Sequence, residues 1–151
     1  MQEIRIDKTE LERLIDRLDA APEVLREARR AAMEAAAPKL KQAVDAQIGG
    51  SGKVRGWQGQ YVGSKGGYAA VRAKAKTYTE PTKGGNRYAV GYVTNAVNSG
   101  HRFPSTKLGY RTSAGVVPGR QYYQRAQGQV EAVAQEATRR VVDALTEHLE
   151  G

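Results

Sequence analysis

Leu11, Leu14, Ile15 and Leu18 recur at three- and four-residue spacing among charged neighbours, which is the pattern of an amphipathic helix. Thr9-Glu-Leu-Glu12 places a hydroxyl cap with a carboxylate three residues on, so a helix is predicted over about 9–19. Ahead of it, Ile4 and Ile6 alternate with polar residues and predict a short strand. Pro22 suits the first turn of a second helix, whose stripe runs through Val24, Leu25, Ala28, Ala32 and Ala35. Pro38 removes a backbone donor and crowds the preceding turn, so a kink or break is expected near Ala37. Leu40, Val44 and Ile48 resume the stripe until Gly49-Gly-Ser-Gly52 stops it. The many alanines allow another element to approach this helix closely.

Between Gly49 and Gly119 the helical period gives way to glycines and short β-rich runs. Strands are predicted at 68–75, at 87–94 with Tyr88, Val90 and Tyr92 on one side, and at 110–117. Thr82-Lys-Gly-Gly-Asn86 has turn chemistry, and 51–67 and 98–109 read as long loops. Ala126, Val130, Val133, Ala137, Val141, Leu145 and Leu149 then predict a long amphipathic helix from about Arg120 to His148. The order predicts an α+β fold: a small antiparallel sheet packed on one face by an N-terminal helical pair and a long C-terminal helix. At 151 residues, one domain spanning 1–151 is expected.

Charge divides the chain along the same boundaries. Residues 1–48 carry nine Lys/Arg against ten acids, and residues 121–151 three against five. Residues 49–120 carry twelve against the single acid Glu80, a net of +11. Six of the eight tyrosines, Trp57 and Phe103 also fall in this middle segment. Such a segment suits an acidic partner, either nucleic acid or an acidic protein surface; a solvated basic sheet that binds nothing is the plainer alternative. The residues assigned to a partner- or DNA-facing surface are Lys53, Arg55, Trp57, Lys65, Arg72, Lys74, Lys76, Arg87, Arg102, Lys107, Arg111 and Arg120. Tyr61, Tyr110, Tyr122 and Tyr123 are assigned as interface aromatics.

The chemistry-bearing residues are few. There is no cysteine, and His101 and His148 are the only histidines, which excludes a Cys/His zinc site. Gly49-Gly-Ser-Gly52-Lys53-Val54 lacks the Gly and Ser/Thr that a phosphate-binding loop needs at 47 and 54, where Gln47 and Val54 stand. Gly56-Trp-Gln-Gly59 and Gly63-Ser-Lys-Gly66 match the GxxG of a nucleic-acid clamp but precede a predicted strand instead of joining two helices. A metal-independent ribonuclease built on His101, Arg102 and a tyrosine is the one enzymatic alternative. No catalytic residue, metal ligand or cofactor is assigned. No apolar run approaches the roughly 20 residues of a membrane span, and the first residues lack the apolar stretch of a signal peptide.

The order of segments resembles the tail-component, or tail-completion, family of tailed bacteriophages. The resemblance runs through Ile4-Arg-Ile6, Thr9-Glu-Leu-Glu-Arg-Leu14 and Ala35-Ala-Ala-Pro38. It is most specific at Gly52-Lys-Val-Arg55, Gly66-Gly-Tyr-Ala-Ala-Val-Arg72, and Tyr88-Ala-Val-Gly-Tyr-Val-Thr-Asn95 leading into Asn98-Ser-Gly-His101. Val117-Pro-Gly-Arg-Gln-Tyr-Tyr123 completes it as a Pro/aromatic step into the last helix. The chain departs from the pattern in its Tyr122-Tyr123 pair and in a long basic loop at 102–115. The resemblance implies no enzyme. It implies a structural virion protein at the head–tail neck, assembled in the host cytoplasm as a homo-oligomeric ring, with a hexamer among the sizes allowed. Its implied partners are connector or head-closure, tail-terminator and tail-tube proteins. DNA would pass through the ring with at most transient contact. A non-specific nucleic-acid-binding module is the alternative reading of the same residues.

Overall fold

A computed structural model describes residues 9–49, 52–102 and 116–151. The predicted strand at Ile4–Ile6 lies outside them. Helix α1 spans Thr9–Gln47, a single helix of 39 residues with Pro22 and Pro38 inside it. This corrects the expected pair, one helix over about 9–19 and a second from Pro22, and the helix also continues past Ala37, where a kink or break is expected. Both prolines are exposed, as are Leu18 and Glu34 four residues before each, so the carbonyls they leave without an intrahelical donor stay within reach of water. Ala36 and Ala37, just ahead of Pro38, are buried, so packing holds the helix across the lost hydrogen bond.

A short helix, α2 (Gly52–Gly56), turns the chain into strand β1 (Gln58–Val62), which pairs antiparallel with β2 (Ala69–Ala73) from Gln58↔Ala73 to Val62↔Ala69. Strand β2 sits where the sequence predicts it, whereas β1 occupies part of the segment read as a loop. Gly66, in the connection between them, has φ +65°, and a Cβ there would lie 2.6 Å from the Arg30 Cα of α1. The hairpin therefore lies directly on the long helix.

The expected strand at 87–94 is instead mostly helix α3 (Val90–Ser99). The Tyr88, Val90, Tyr92 alternation is real, but Val90, Thr94 and Asn98 are the buried positions, and their four-residue spacing is helical. Strands β3 (Gly100–Arg102) and β4 (Val116–Pro118) form a second two-stranded sheet, so the single small sheet is in fact two. Of the third predicted strand, at 110–117, Val116 and Val117 lie in β4 and 110–115 lie outside the described residues. Helix α4 (Tyr122–Glu150) closes the fold where the sequence predicts it.

The architecture is α+β. Helix α4 runs antiparallel along α1: Tyr122 and Ala126 meet Val44 and Ile48 at one end, and His148 Nε2 lies 2.9 Å from the Arg17 carbonyl at the other. Ala32, Ala36 and Ala137 form the close seam between the two helices, with Ala69 of the hairpin against it. The seam is bridged by Lys39, whose Nζ donates to both carboxylate oxygens of Glu136 at 2.6 Å. A second cluster joins Val44, Ile48, Val54, Tyr122 and Ala126, with Trp57, Val71, Val97 and Tyr123 packed around it. Among the described residues, no helix is long and apolar enough to cross a membrane.

Candidate functional site: a cationic and aromatic face

The β1–β2 hairpin turns Gly59, Tyr61, Ala70 and Arg72 to one side, since alternate residues of a strand share a face. Gly59 stands opposite Arg72, and Tyr61 is its diagonal neighbour. The Arg72 guanidinium lies 4.5 Å from the centroid of the Tyr61 ring, a cation–π contact that orders an exposed charge without neutralising it.

Beyond β2, Lys74 is drawn back to α2. Its backbone N–H donates to the Trp57 carbonyl at 2.9 Å and its Nζ to the Gly56 carbonyl at 3.0 Å. Lys76 adopts φ +51°, a left-handed conformation uncommon for a residue with a side chain. The turn it makes starts a projecting arm in which 77–79 lie beside 88–90. Thr79 N–H donates to the Tyr88 carbonyl at 2.8 Å, and Val90 N–H to the Thr77 carbonyl at 2.9 Å. The predicted turn closes the arm, with Gly85 N–H donating to the Thr82 carbonyl at 2.8 Å and Gly85 at φ +78°.

The arm carries Lys76, Lys83 and Arg87 together with Tyr78 and Tyr88, all exposed, and Tyr92 stands 71% exposed at the start of α3. Between the arm and α2 lies an open cleft of about 680 Å³, with Lys53 and Trp57 on one wall and Tyr78 to Thr82 on the other. The fold thus brings Lys53, Trp57, Lys74 and Tyr78 into one region, with Lys76 and Arg87 on the adjoining arm and Arg72 on the neighbouring hairpin. The sequence pattern alone assigns none of Tyr78, Tyr88, Tyr92 and Lys83 to a site. Their signal was the tyrosine density of the basic segment, which alone does not separate exposed from buried rings.

Other assigned residues lie elsewhere. Arg55 donates to the Ile48 carbonyl at 3.0 Å and Arg120 to the Gly49 carbonyl at 3.3 Å. Arg125, which was not assigned, donates to the Gln47 carbonyl at 3.0 Å. These three arginines meet the C-terminal end of α1, whose last turn has no basic residue of its own and whose free carbonyls carry partial negative charge. They help hold the fold together, while Arg55 and Arg120 both remain exposed. Lys65 is exposed in the hairpin connection that leans on α1, and Arg102 is exposed on β3. Lys107, Tyr110 and Arg111 lie outside the described residues.

Tyr122 is internal, against its assignment as an interface aromatic, and Tyr123 is half-buried. Tyr122 is 1% exposed and its hydroxyl donates to the Thr94 carbonyl at 3.0 Å. Half-buried Tyr123 donates its hydroxyl to the Oε1 of buried Gln58, whose Nε2 donates to the Val54 carbonyl at 3.1 Å. Burial, with the neighbouring Tyr123 adding to it, pushes the Tyr122 hydroxyl up to about 12, and burial raises Tyr123 as well. Asn98 accepts from the Tyr123 N–H at 3.3 Å and so satisfies a donor in the first turn of α4. His101 is exposed on β3, opposite Val117. Among the described residues, no three acidic or histidine side chains group to hold a metal ion.

A face of this kind can attract an anionic polymer or an acidic protein surface, offering mobile cations for charge and flat rings for contact. The chain matches no family model, no curated protein and no solved structure.

Proposed function

We propose that this chain is a structural protein of a tailed-phage virion, placed at the head–tail junction. There it forms a ring that joins connector and tail and lets DNA pass, without performing a reaction. The observation that carries the reading is the amount of large apolar and aromatic surface left uncovered on so small a body. Leu11, Leu14, Ile15, Leu18 and Leu25 on α1 are exposed, as are Tyr68 in the hairpin connection and Tyr78, Tyr88 and Tyr92 on or beside the basic arm. Monomeric proteins seldom leave extended apolar surface in water, whereas subunits of an assembly cover it with a neighbour. Tyr and Arg also suit the centres of interfaces, because each combines large contact area with polar reach. The order of sequence motifs supplies the phage context. Connector or head-closure, tail-terminator and tail-tube proteins are the partners this reading names.

Imaging of virions and assembly intermediates, with the protein located by a specific label, tests it. Density for this chain at the head–tail junction is expected; its absence there overturns the reading.

A second reading, a non-specific nucleic-acid-binding module, is favoured by the Lys53–Trp57–Tyr78 cleft and by the stacked Arg72. It predicts duplex-DNA binding that weakens steeply with salt, and a shallower salt slope when Arg72, Lys74, Lys76 and Arg87 are replaced. Equal affinity before and after those replacements excludes it.

A further inference from the structure

The molecule has two unlike poles. Helix α1 carries its leucines toward one end: Leu11 is 55% exposed and Leu18 52%. On a helix, Leu11, Leu14, Ile15, Leu18 and Leu25 share one stripe, whereas Arg17, Ala21, Val24 and Ala28, the half-buried positions, form the adjoining stripe on the α4 side. The leucines therefore flank the helix–helix seam and are not covered by it. On their other flank Glu12, Asp16, Asp19 and Glu23 repeat at spacings of four, three and four, an acidic stripe in which Glu23 pairs with Arg26. The C-terminal turns of α4 end at the same pole and add Asp143, Glu147 and Glu150. Together, 9–27 and 141–151 carry nine acids against three arginines, a net of −6.

The opposite end holds the cationic face. From Ala69 to Tyr92 the chain carries Arg72, Lys74, Lys76, Lys83 and Arg87 against Glu80 alone, with the exposed tyrosines Tyr78, Tyr88 and Tyr92. This face packs around the C-terminal part of α1, where Ile48 meets Val54 and Trp57. Ile15 and Val44 are separated by roughly 44 Å of helix, at 1.5 Å per residue. One molecule cannot bring its own two poles together.

We infer that the leucine-rich acidic pole of one copy docks on the tyrosine-rich cationic face of the next, a head-to-tail contact between identical chains. It rests on the reading of the protein as a ring subunit and names the two surfaces that would close that ring. Opposite charges set the register and steer the encounter, while leucines against tyrosines contribute the apolar burial. Two different surfaces in contact make a heterologous interface, which closes into a ring when the rotation per subunit permits. Pairing of two like poles would instead bring net −6 against net −6.

The test uses the full-length chain at low ionic strength and four exposed side chains whose replacement leaves the core untouched. Sedimentation of the parent is expected to show concentration-dependent oligomers. The double variants E12K/D16K and K76E/R87E, each alone, should self-associate about tenfold more weakly, because the first leaves the acidic pole at −2 instead of −6 and the second leaves the cationic face at 0 instead of +4. Mixed one to one, they should re-associate, since the unaltered acidic pole of K76E/R87E, at −6, then meets the unaltered cationic face of E12K/D16K, at +4. A photo-crosslinking residue in place of Leu18 should link to 69–92 of a second copy. A parent that is monomeric throughout, a mixture that fails to recover, or crosslinks to α1 of the second copy would each overturn the inference. Equal melting of parent and variants establishes that folding is not the cause. The virion reading is judged separately, by labelled imaging: a neck protein closed through other surfaces would fail the mixing test while still appearing at the junction.

Discussion

The Tyr123 hydroxyl donates to Gln58 Oε1, tying the first turn of α4 to the first residue of β1 across 65 positions of sequence. Gln58 is 1% exposed and answers with its own donation to the Val54 carbonyl. The pair links the long helix to the hairpin that supports the cationic face. Tyr123→Phe removes the donor and leaves a buried amide oxygen without that partner, so a loss of about 1–3 kcal/mol is expected. Urea unfolding of the variant measures it. A midpoint equal to the parent's would show that water replaces the hydroxyl.

Tyr122→Ala should be far more damaging than Tyr123→Phe. It empties the side chain at the junction of Val44, Ile48, Val54 and Ala126, and large-to-small changes of an aromatic in a core typically cost about 3–5 kcal/mol. Calorimetry should show a large fall in Tm or loss of a cooperative transition.

The same tyrosine sets an alkaline limit. Its folded pKa is pushed up to about 12 by burial, above the ordinary value of 10.0. The unfolded chain therefore releases this proton first. The stabilisation is intact below pH 10, falls as pH rises from there, and is spent once pH passes the folded value of about 12. At the acidic end, Glu136 is held below the usual carboxylate range, first by the hydrogen bond from Lys39 and then by that from Arg140. Its contribution is present near neutrality and lost as pH falls through its lowered folded pKa, and its exposure makes it small and salt-sensitive. Thermal melts across pH, in the parent and in Tyr122→Phe, separate the alkaline effect from general base denaturation.

Glycine positions should divide sharply. A Cβ at Gly119 would lie 2.5 Å from the Asn98 carbonyl oxygen, and at Gly66 2.6 Å from Arg30 Cα with φ already positive. Gly66→Ala and Gly119→Ala are each expected to destabilise by about 1–3 kcal/mol. Gly128 lies inside α4 with nothing within 4 Å, so Gly128→Ala should stabilise by about 0.5–1 kcal/mol. Three denaturant curves decide the point.

The arginines around the end of α1 should be separable from those on the face. Arg125→Gln and Arg120→Gln remove donors from the Gln47 and Gly49 carbonyls and should each cost about 0.3–1 kcal/mol. They should lower DNA affinity no more than any single lost charge. Arg72→Gln should show the reverse balance, with little change in stability and a measurable drop in binding. Paired melting and binding titrations test both halves.

Much of this protein was readable from its chain. The Leu11-to-Leu18 period falls within α1, and the Ala126-to-Leu149 period marks nearly the whole of α4. Strand β2, the Thr82–Asn86 turn, the α+β class and the isolation of positive charge between balanced ends were equally visible. These are local patterns, set by helical and strand periods and by turn chemistry. Tertiary structure decided what depends on distant partners. Residues 90–99 became helix because Val90, Thr94 and Asn98 bury together, although the aromatic alternation across 88–92 suits a strand. Helix α1 passed through Pro38 because the alanines ahead of it are packed while the freed carbonyl reaches water. Arg120 and Arg125, both exposed, donate to carbonyls 71 and 78 residues earlier in the chain, a pairing that no local pattern announces. A composition counts cations and tyrosines. Only packing determines which of them satisfy the backbone and which remain free to meet another molecule.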